Sequence, residues 1–189
     1  MCTFITATIP LKSDLASFCD AAGRHGLRFS PITNPFVQSQ LPPGLVYLEK
    51  KAAGHCDCDT VLGSLAASDR KHDDGGSSSE VAKRKRMGWS ERKIERWLAE
   101  KYQANDKRMR RKQQLAELRQ QGAGEWLAFL RDALGNRKLA ALGLLLHFYR
   151  ASPTTERVQL KRIARVLVRE VEAASLLRLE EDVLHVFQP

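Results

Sequence analysis

No run of apolar residues in this chain approaches the roughly 18–20 that a helix needs to cross a bilayer. The longest, Leu139 to Tyr149, has 11 residues and contains His147. The first residues lack a charged segment followed by a long apolar stretch and a small-residue cleavage site, so no secretory signal is expected. A cytoplasmic, intracellular protein without a membrane partner is the corresponding expectation. Cysteine is scarce as well, with only Cys2, Cys19, Cys56 and Cys58. Without an export signal, a disulfide framework is a poor account of them; buried thiols, a metal site or redox chemistry fit better. The chain also lacks a P-loop, a G-x-G-x-x-G, a G-x-S-x-G and an H-E-x-x-H. It has no helix-turn-helix, zinc-finger or RNA-binding-sheet signature and no internal repeat.

What is present is a globular composition with an uneven charge. The 189 residues are 43% hydrophobic, enough for one core of ordinary size. The formal charge is +9. Residues 81–121 hold 14 Lys and Arg against five Asp and Glu, and so carry the whole surplus. Charge concentrated in this way is an electrostatic footprint rather than a general property of the surface.

The two ends of the chain carry the strand signals. Phe4 to Ile9 alternates apolar with β-branched polar residues and stops at Pro10, the pattern of a strand. Ser13 and Asp14 supply N-cap chemistry for a helix through Leu15, Phe18, Cys19 and Ala22, ended by Gly23 and Gly26. Leu27 to Ile32 and Leu45 to Glu49 are further strand candidates, separated by a proline-containing loop, and Thr60 is placed to cap a short helix over Val61 to Ala67. Leu139 to Tyr149 and Arg157 to Val168 are expected to be strands joined at the turn Ser152 to Thr155, and Ala173 to Leu184 a final helix. Periodicity does not decide a short apolar run, so an all-helical 138–182 stays open.

Between the ends the pattern is helical. Ser90 caps a helix with Ile94, Trp97, Leu98 and Tyr102 at i, i+3, i+4 and i+8. Gly122 and Gly124 are expected to break it, and Glu125 to Leu134 to return antiparallel. The expected fold class is α+β, a small sheet built from the N- and C-terminal segments with an inserted helical hairpin. Residues 1–67 form the β-α-β-β part of the core, 68–87 a flexible basic linker, 88–134 the hairpin and 135–189 the C-terminal part of the core.

Two features carry chemistry. The first is the basic segment, with Lys83, Arg84, Lys85 and Arg86 in one cluster and Lys107, Arg108, Arg110, Arg111 and Lys112 in another. Clustered bases displace the counterions of a polyanion and give affinity without sequence reading. Trp89, Trp97 and Tyr102 lie among them and are placed to stack on unpaired bases. The two clusters flank the first hairpin helix and are expected to grip one backbone from two sides. This points to a non-enzymatic binding or adaptor protein whose partner is nucleic acid or an acidic protein surface. The bland account is a solvated helix face, which intrahelical Glu–Lys and Glu–Arg spacings also support. Self-association through Trp97 and Leu98 is a third reading of the same hairpin.

The second feature is the turn His55-Cys56-Asp57-Cys58. Soft thiolates and imidazole suit Zn²⁺, and a C-x-C pair supplies two ligands from one turn, with His55 and Cys2 or a distant His to complete the set. The alternative function is therefore a metal- or thiol-dependent protein, or an enzyme, centred there. A tight turn with Asp side chains bonded to backbone N–H groups explains the same residues without a ligand. Cys2 would become an N-terminal nucleophile if Met1 were removed, though the sheet expected here is small for that chemistry. His25 is expected at a helix C-terminus and His147 as a satisfied core residue.

Overall fold

The computed structural model describes residues 2–51, 56–58, 60–63, 77–135 and 139–189. They fall into two compact units, residues 1–68 with 119–189, and residues 69–118.

The first unit is built on a six-stranded mixed sheet of order β2-β3-β1-β4-β6-β5. Its strands are β1 (Cys2–Pro10), β2 (Phe29–Pro31), β3 (Leu45–Lys50), β4 (Leu142–Tyr149), β5 (Arg162–Leu167) and β6 (Val183–Gln188). All neighbours are antiparallel except β5 and β6. Both ends of the chain thus contribute to one sheet, and β1 pairs with β4 from Cys2↔Tyr149 to Thr8↔Gly143.

Strand alternation assigns the two faces of β1. Ile5, Ala7 and Ile9 point to a core shared with α1 (Leu15–Arg24) and the C-terminal part of α4 (Glu91–Gly135). The Asp14 carboxylate starts α1 by accepting from the Ala16 N–H at 3.0 Å. Phe129 of α4 is the hub, with Phe18, Phe29 and Trp126 rings centred 5.8–6.1 Å from it. The opposite face is smaller. Tyr47, Leu145, Tyr149 and Leu184 pack there against Val37 of α2 (Pro35–Gln38) and Val158. Asn34 caps α2 with its carboxamide oxygen, and its amide donates to the Pro153 and Glu156 carbonyls at 2.8 and 3.0 Å. With both faces covered, β4 is buried from Leu142 to Leu146. Its sequence therefore reads as a continuous apolar run rather than an alternation.

The C-terminal third differs from expectation. β4 and β5 are strands, but they are not partners, because β6 lies between them. The helix expected over Ala173 to Leu184 is one short turn, α5 (Ala173–Leu176). Asp182 then takes a left-handed backbone with φ 63°, and Val183 to Phe187 enter the sheet. Val183, Leu184 and Phe187 are buried between two neighbouring strands, which outweighs the helical spacing of the leucines before them. The helix expected over 61–67 is described only to residue 63, which leaves its remainder outside the described residues.

The helical region also differs. No break occurs at Gly122 or Gly124, because α4 runs for 45 residues. Its buried positions Ala123, Trp126, Leu127, Leu130 and Leu134 follow a helical stripe. Gly122 is in the helix for another reason: a Cβ there would lie 2.3 Å from Val61 Cγ2, so the 60–63 turn packs where a side chain would stand.

The second unit contains a different hairpin. Part of the expected basic linker is the helix α3 (Ser77–Arg86), and the turn before α4 lies at residues 87–90. Gly88 makes that turn with φ 78°, and the Trp89 N–H donates to the Arg84 carbonyl at 3.2 Å. The ion pair of Glu80 with Lys101 and the contact of Arg84 with Trp97 make the two helices antiparallel. Residues 68–76 of the expected linker lie outside the described residues.

Candidate functional site

The basic clusters lie on the two helices of the second unit. Lys83, Lys85 and Arg86 on α3 are exposed, as are Lys107, Arg110, Arg111 and Lys112 on α4; Arg84 and Arg108 are half-buried. Some of these charges are paired within the unit. Arg110 pairs with Asp106 at 2.9 Å and Arg96 with Glu100 at 3.1 Å, each one turn apart on α4. Lys101 holds the Glu80 carboxyl below its ordinary value by hydrogen bonding.

Two details bear on the basic segment. Arg84 lies over the rings of Trp89 and Trp97, 4.5 and 4.0 Å from their centroids, and Lys93 covers Trp89 at 4.3 Å. Those indoles are engaged by the protein's own cations, while Tyr102 remains 62% exposed. The clusters also do not face each other across a helix. Arg84 sits beside Trp97, and residues 107–112 begin ten positions further along α4, about 15 Å at 1.5 Å per residue.

The thiol turn sits in the first unit, at the N-terminal end of β1. β3 pairs with β1 from Thr6 to Pro10, so among the described residues no strand lies beside residues 2–5 on that side. The 56–58 turn fills the place. The Asp57 N–H donates to the Thr3 carbonyl at 2.9 Å, and the Ile5 N–H donates to Asp57 Oδ2 at 2.9 Å. The Thr3 N–H donates to Cys58 Sγ at 3.2 Å. Asp57 is fully buried and pairs with Lys50 Nζ at 2.5 Å. Thr60 closes the turn, donating through its N–H and its hydroxyl to the Asp57 carbonyl at 2.9 and 2.7 Å.

This scaffold gathers three thiols. Cys2, Cys56 and Cys58 are all half-buried, and their sulfurs lie within 4.8 Å of one another. The Thr3 N–H, as the largest influence, holds the Cys58 thiol below its ordinary value. The Cys58 backbone lowers the Cys56 thiol, but hydrogen bonds with the Cys58 and Cys2 side chains outweigh it and leave Cys56 raised to about 11. Of the donors expected from sequence, Cys56 and Cys58 are brought together and His55 lies outside the described residues. Cys2 supplies the third sulfur, through strand register rather than local spacing. Cys19 stands apart on α1, its Sγ 3.8 Å from the Phe29 carbonyl.

A third group surrounds His147. Asp182 Oδ1 is 2.5 Å from Nδ1, and Glu156 Oε1 is 3.5 Å from Nε2. Sequence reading placed this histidine in the core but missed its acids, which come from later segments. Burial raises the Glu156 carboxyl, yet the Ala151 and Arg150 N–H groups and His147 bring it below the ordinary value. Lys161 approaches Asp182 at 3.3 Å. The carboxylates are thus engaged in fastening the 150–161 segment to β4 and to the start of β6. His25 lies at the C-terminal end of α1 as expected, with Nε2 3.2 Å from Asp132 Oδ2 of α4. Searches of protein-family models, curated proteins and solved structures return no match to this chain. No helix among the described residues is long and apolar enough to cross a membrane.

Proposed function

We propose that this protein is a non-enzymatic binding or adaptor protein whose basic helices α3 and α4 contact the phosphate backbone of nucleic acid. The observation that carries the reading is the exposure of Lys83, Lys85, Arg86, Lys107, Arg110, Arg111 and Lys112 on one helical unit. Each phosphate neutralised by such a base releases condensed counterions. The engaged indoles favour backbone contact over base stacking. The α+β unit serves as the scaffold.

Fluorescence anisotropy with labelled mixed-sequence duplex DNA and RNA, over a series of salt concentrations, tests it. Log K is expected to fall linearly with log salt, with a slope of about −0.9 per duplex phosphate contacted. Replacing Lys107, Arg110, Arg111 and Lys112 by Ser lowers both affinity and slope. Replacing Lys83, Lys85 and Arg86 does so independently, because the two clusters meet separate phosphates. No detectable binding at low salt overturns the nucleic-acid reading. Binding to polyglutamate without binding to either duplex reassigns the surface to an acidic protein.

A further inference from the structure

We propose that Cys2, Cys56 and Cys58 form a metal site that takes one thiophilic ion of the zinc class and supply three thiolates to it. The site belongs to the α+β unit and stands apart from the polyanion reading.

The geometry supports it. The thiols come from segments more than 50 residues apart and converge on one point. A tetrahedral ion with Zn–S bonds of about 2.3 Å sets its sulfurs about 3.8 Å apart. Sulfurs already within 4.8 Å of one another reach that spacing by side-chain rotation of about 1 Å or less.

The backbone around them is fixed in advance. Asp57 ties the middle of the C-x-C turn to Thr3 and Ile5 of β1, so the Cys56 and Cys58 side chains are carried to the strand that bears Cys2. The Thr3 N–H points at Cys58 Sγ, and such donors orient thiolate ligands and stabilise their charge. None of the three sulfurs belongs to a fully buried residue, so an ion has a route from solvent.

A divalent ion displaces the thiol protons and replaces thiol–thiol contacts with coordinate bonds. A single disulfide would leave one of the three thiols without a role.

The test uses the untagged full-length chain. Protein freed of metal with a chelator under reducing conditions is titrated with Co²⁺ and, in competition with a chromophoric chelator, with Zn²⁺. The expected result is one equivalent bound, with a thiolate-to-cobalt charge-transfer band whose intensity matches three sulfurs. Cys2→Ser, Cys56→Ser and Cys58→Ser each weaken Zn²⁺ binding at least tenfold, and Cys19→Ser leaves it unchanged. Should a serine variant fail to fold, the wild-type cobalt spectrum decides alone. Absence of the charge-transfer band at stoichiometric Co²⁺ overturns the proposal. So does mass mapping that finds a disulfide among Cys2, Cys56 and Cys58 in protein purified under reducing conditions, or Zn²⁺ affinity equal in wild type and a Cys2/Cys56/Cys58 triple serine variant.

Discussion

Lys50 and Asp57 form a buried ion pair, with Nζ 2.5 Å from Oδ1 and the two side chains 7% and 0% exposed. The pair joins the last residue of β3 to the turn that continues beside β1. Asp57 is held further by the Ile5 N–H. Removing one member of a buried pair strands the other charge without solvent. Asp57→Asn is therefore expected to cost about 3–5 kcal/mol of stability. The measurement is the shift in urea midpoint. Combining it with Lys50→Met recovers a large part of the loss, because the stranded charge is then gone. A loss below about 1 kcal/mol for Asp57→Asn would mean that Lys50 reaches water, as exposed pairs do.

Gly122 and Gly124 lie two residues apart in α4, yet the same substitution is expected to act on them with opposite sign. A Cβ at Gly122 lies 2.3 Å from Val61 Cγ2, and one at Gly124 meets nothing within 4 Å. Gly122→Ala gains helix propensity but overpacks the 60–63 turn, a net loss of about 1–2 kcal/mol. Gly124→Ala gains propensity at no steric cost and stabilises by about 0.5–1 kcal/mol. Thermal unfolding of the two variants checks both signs. Two equal effects would show that the turn does not press on α4.

The elements legible in the sequence are those fixed by local chemistry. Thr6 and Thr8 alternating with Ile5, Ala7 and Ile9 announced β1, and Asp14 announced the start of α1. The elements misread are those fixed by distant neighbours. Leu176, Leu177 and Leu179 space like a helix, and only the slot between β4 and β5 makes Val183 to Gln188 a strand. Gly122 looks like a breaker until Val61 is seen against it. The hairpin expected over 88–134 is a single helix, and a different hairpin turns at Gly88. The candidate sites divide in the same way. The C-x-C pair is visible as spacing, whereas Cys2 joins it because the turn is bonded to Thr3 and Ile5 of β1.

His185 gives the fold a specific sensitivity to mild acid. It lies on β6, 7% exposed, and its Nε2 accepts the Glu180 N–H at 3.2 Å. Desolvation lowers its pKa from the ordinary 6.5, the nearby Glu180 opposes that shift and Arg162 adds to it. The folded state thus favours the neutral ring, which accepts the hydrogen bond. Between the depressed folded value and 6.5 the unfolded chain binds more protons, so stability falls as pH falls through this window. The stabilisation is fully present above 6.5. Glu156 and Asp132, both depressed carboxyls, lose their contributions only at lower pH, below the ordinary values of 4.5 and 3.8. Urea midpoints measured from pH 8 to 5 are expected to decline for the wild type. His185→Gln keeps an acceptor near Glu180 and flattens the decline. An equal decline in both proteins would place the sensitive group elsewhere.

Arg84 has a structural task that its neighbours on α3 do not share. Its guanidinium lies over both Trp89 and Trp97, and so holds α3 to the turn and to α4. Cation–π contacts of this kind contribute about 0.5–2 kcal/mol each, most when partly desolvated, and Arg84 is half-buried. Lys85, one residue on, is exposed and has no such ring beneath it among the described contacts. Arg84→Ala is expected to weaken the docking of α3 by about 1–2 kcal/mol, which raises amide exchange across Ser77–Arg86 about 5–30-fold. Lys85→Ala leaves that exchange unchanged. On the proposed reading, Lys85→Ala instead reduces the salt dependence of duplex binding by up to one phosphate contact. Hydrogen exchange separates the two roles. Equal exchange in the two variants would show that the indoles hold α3 without Arg84.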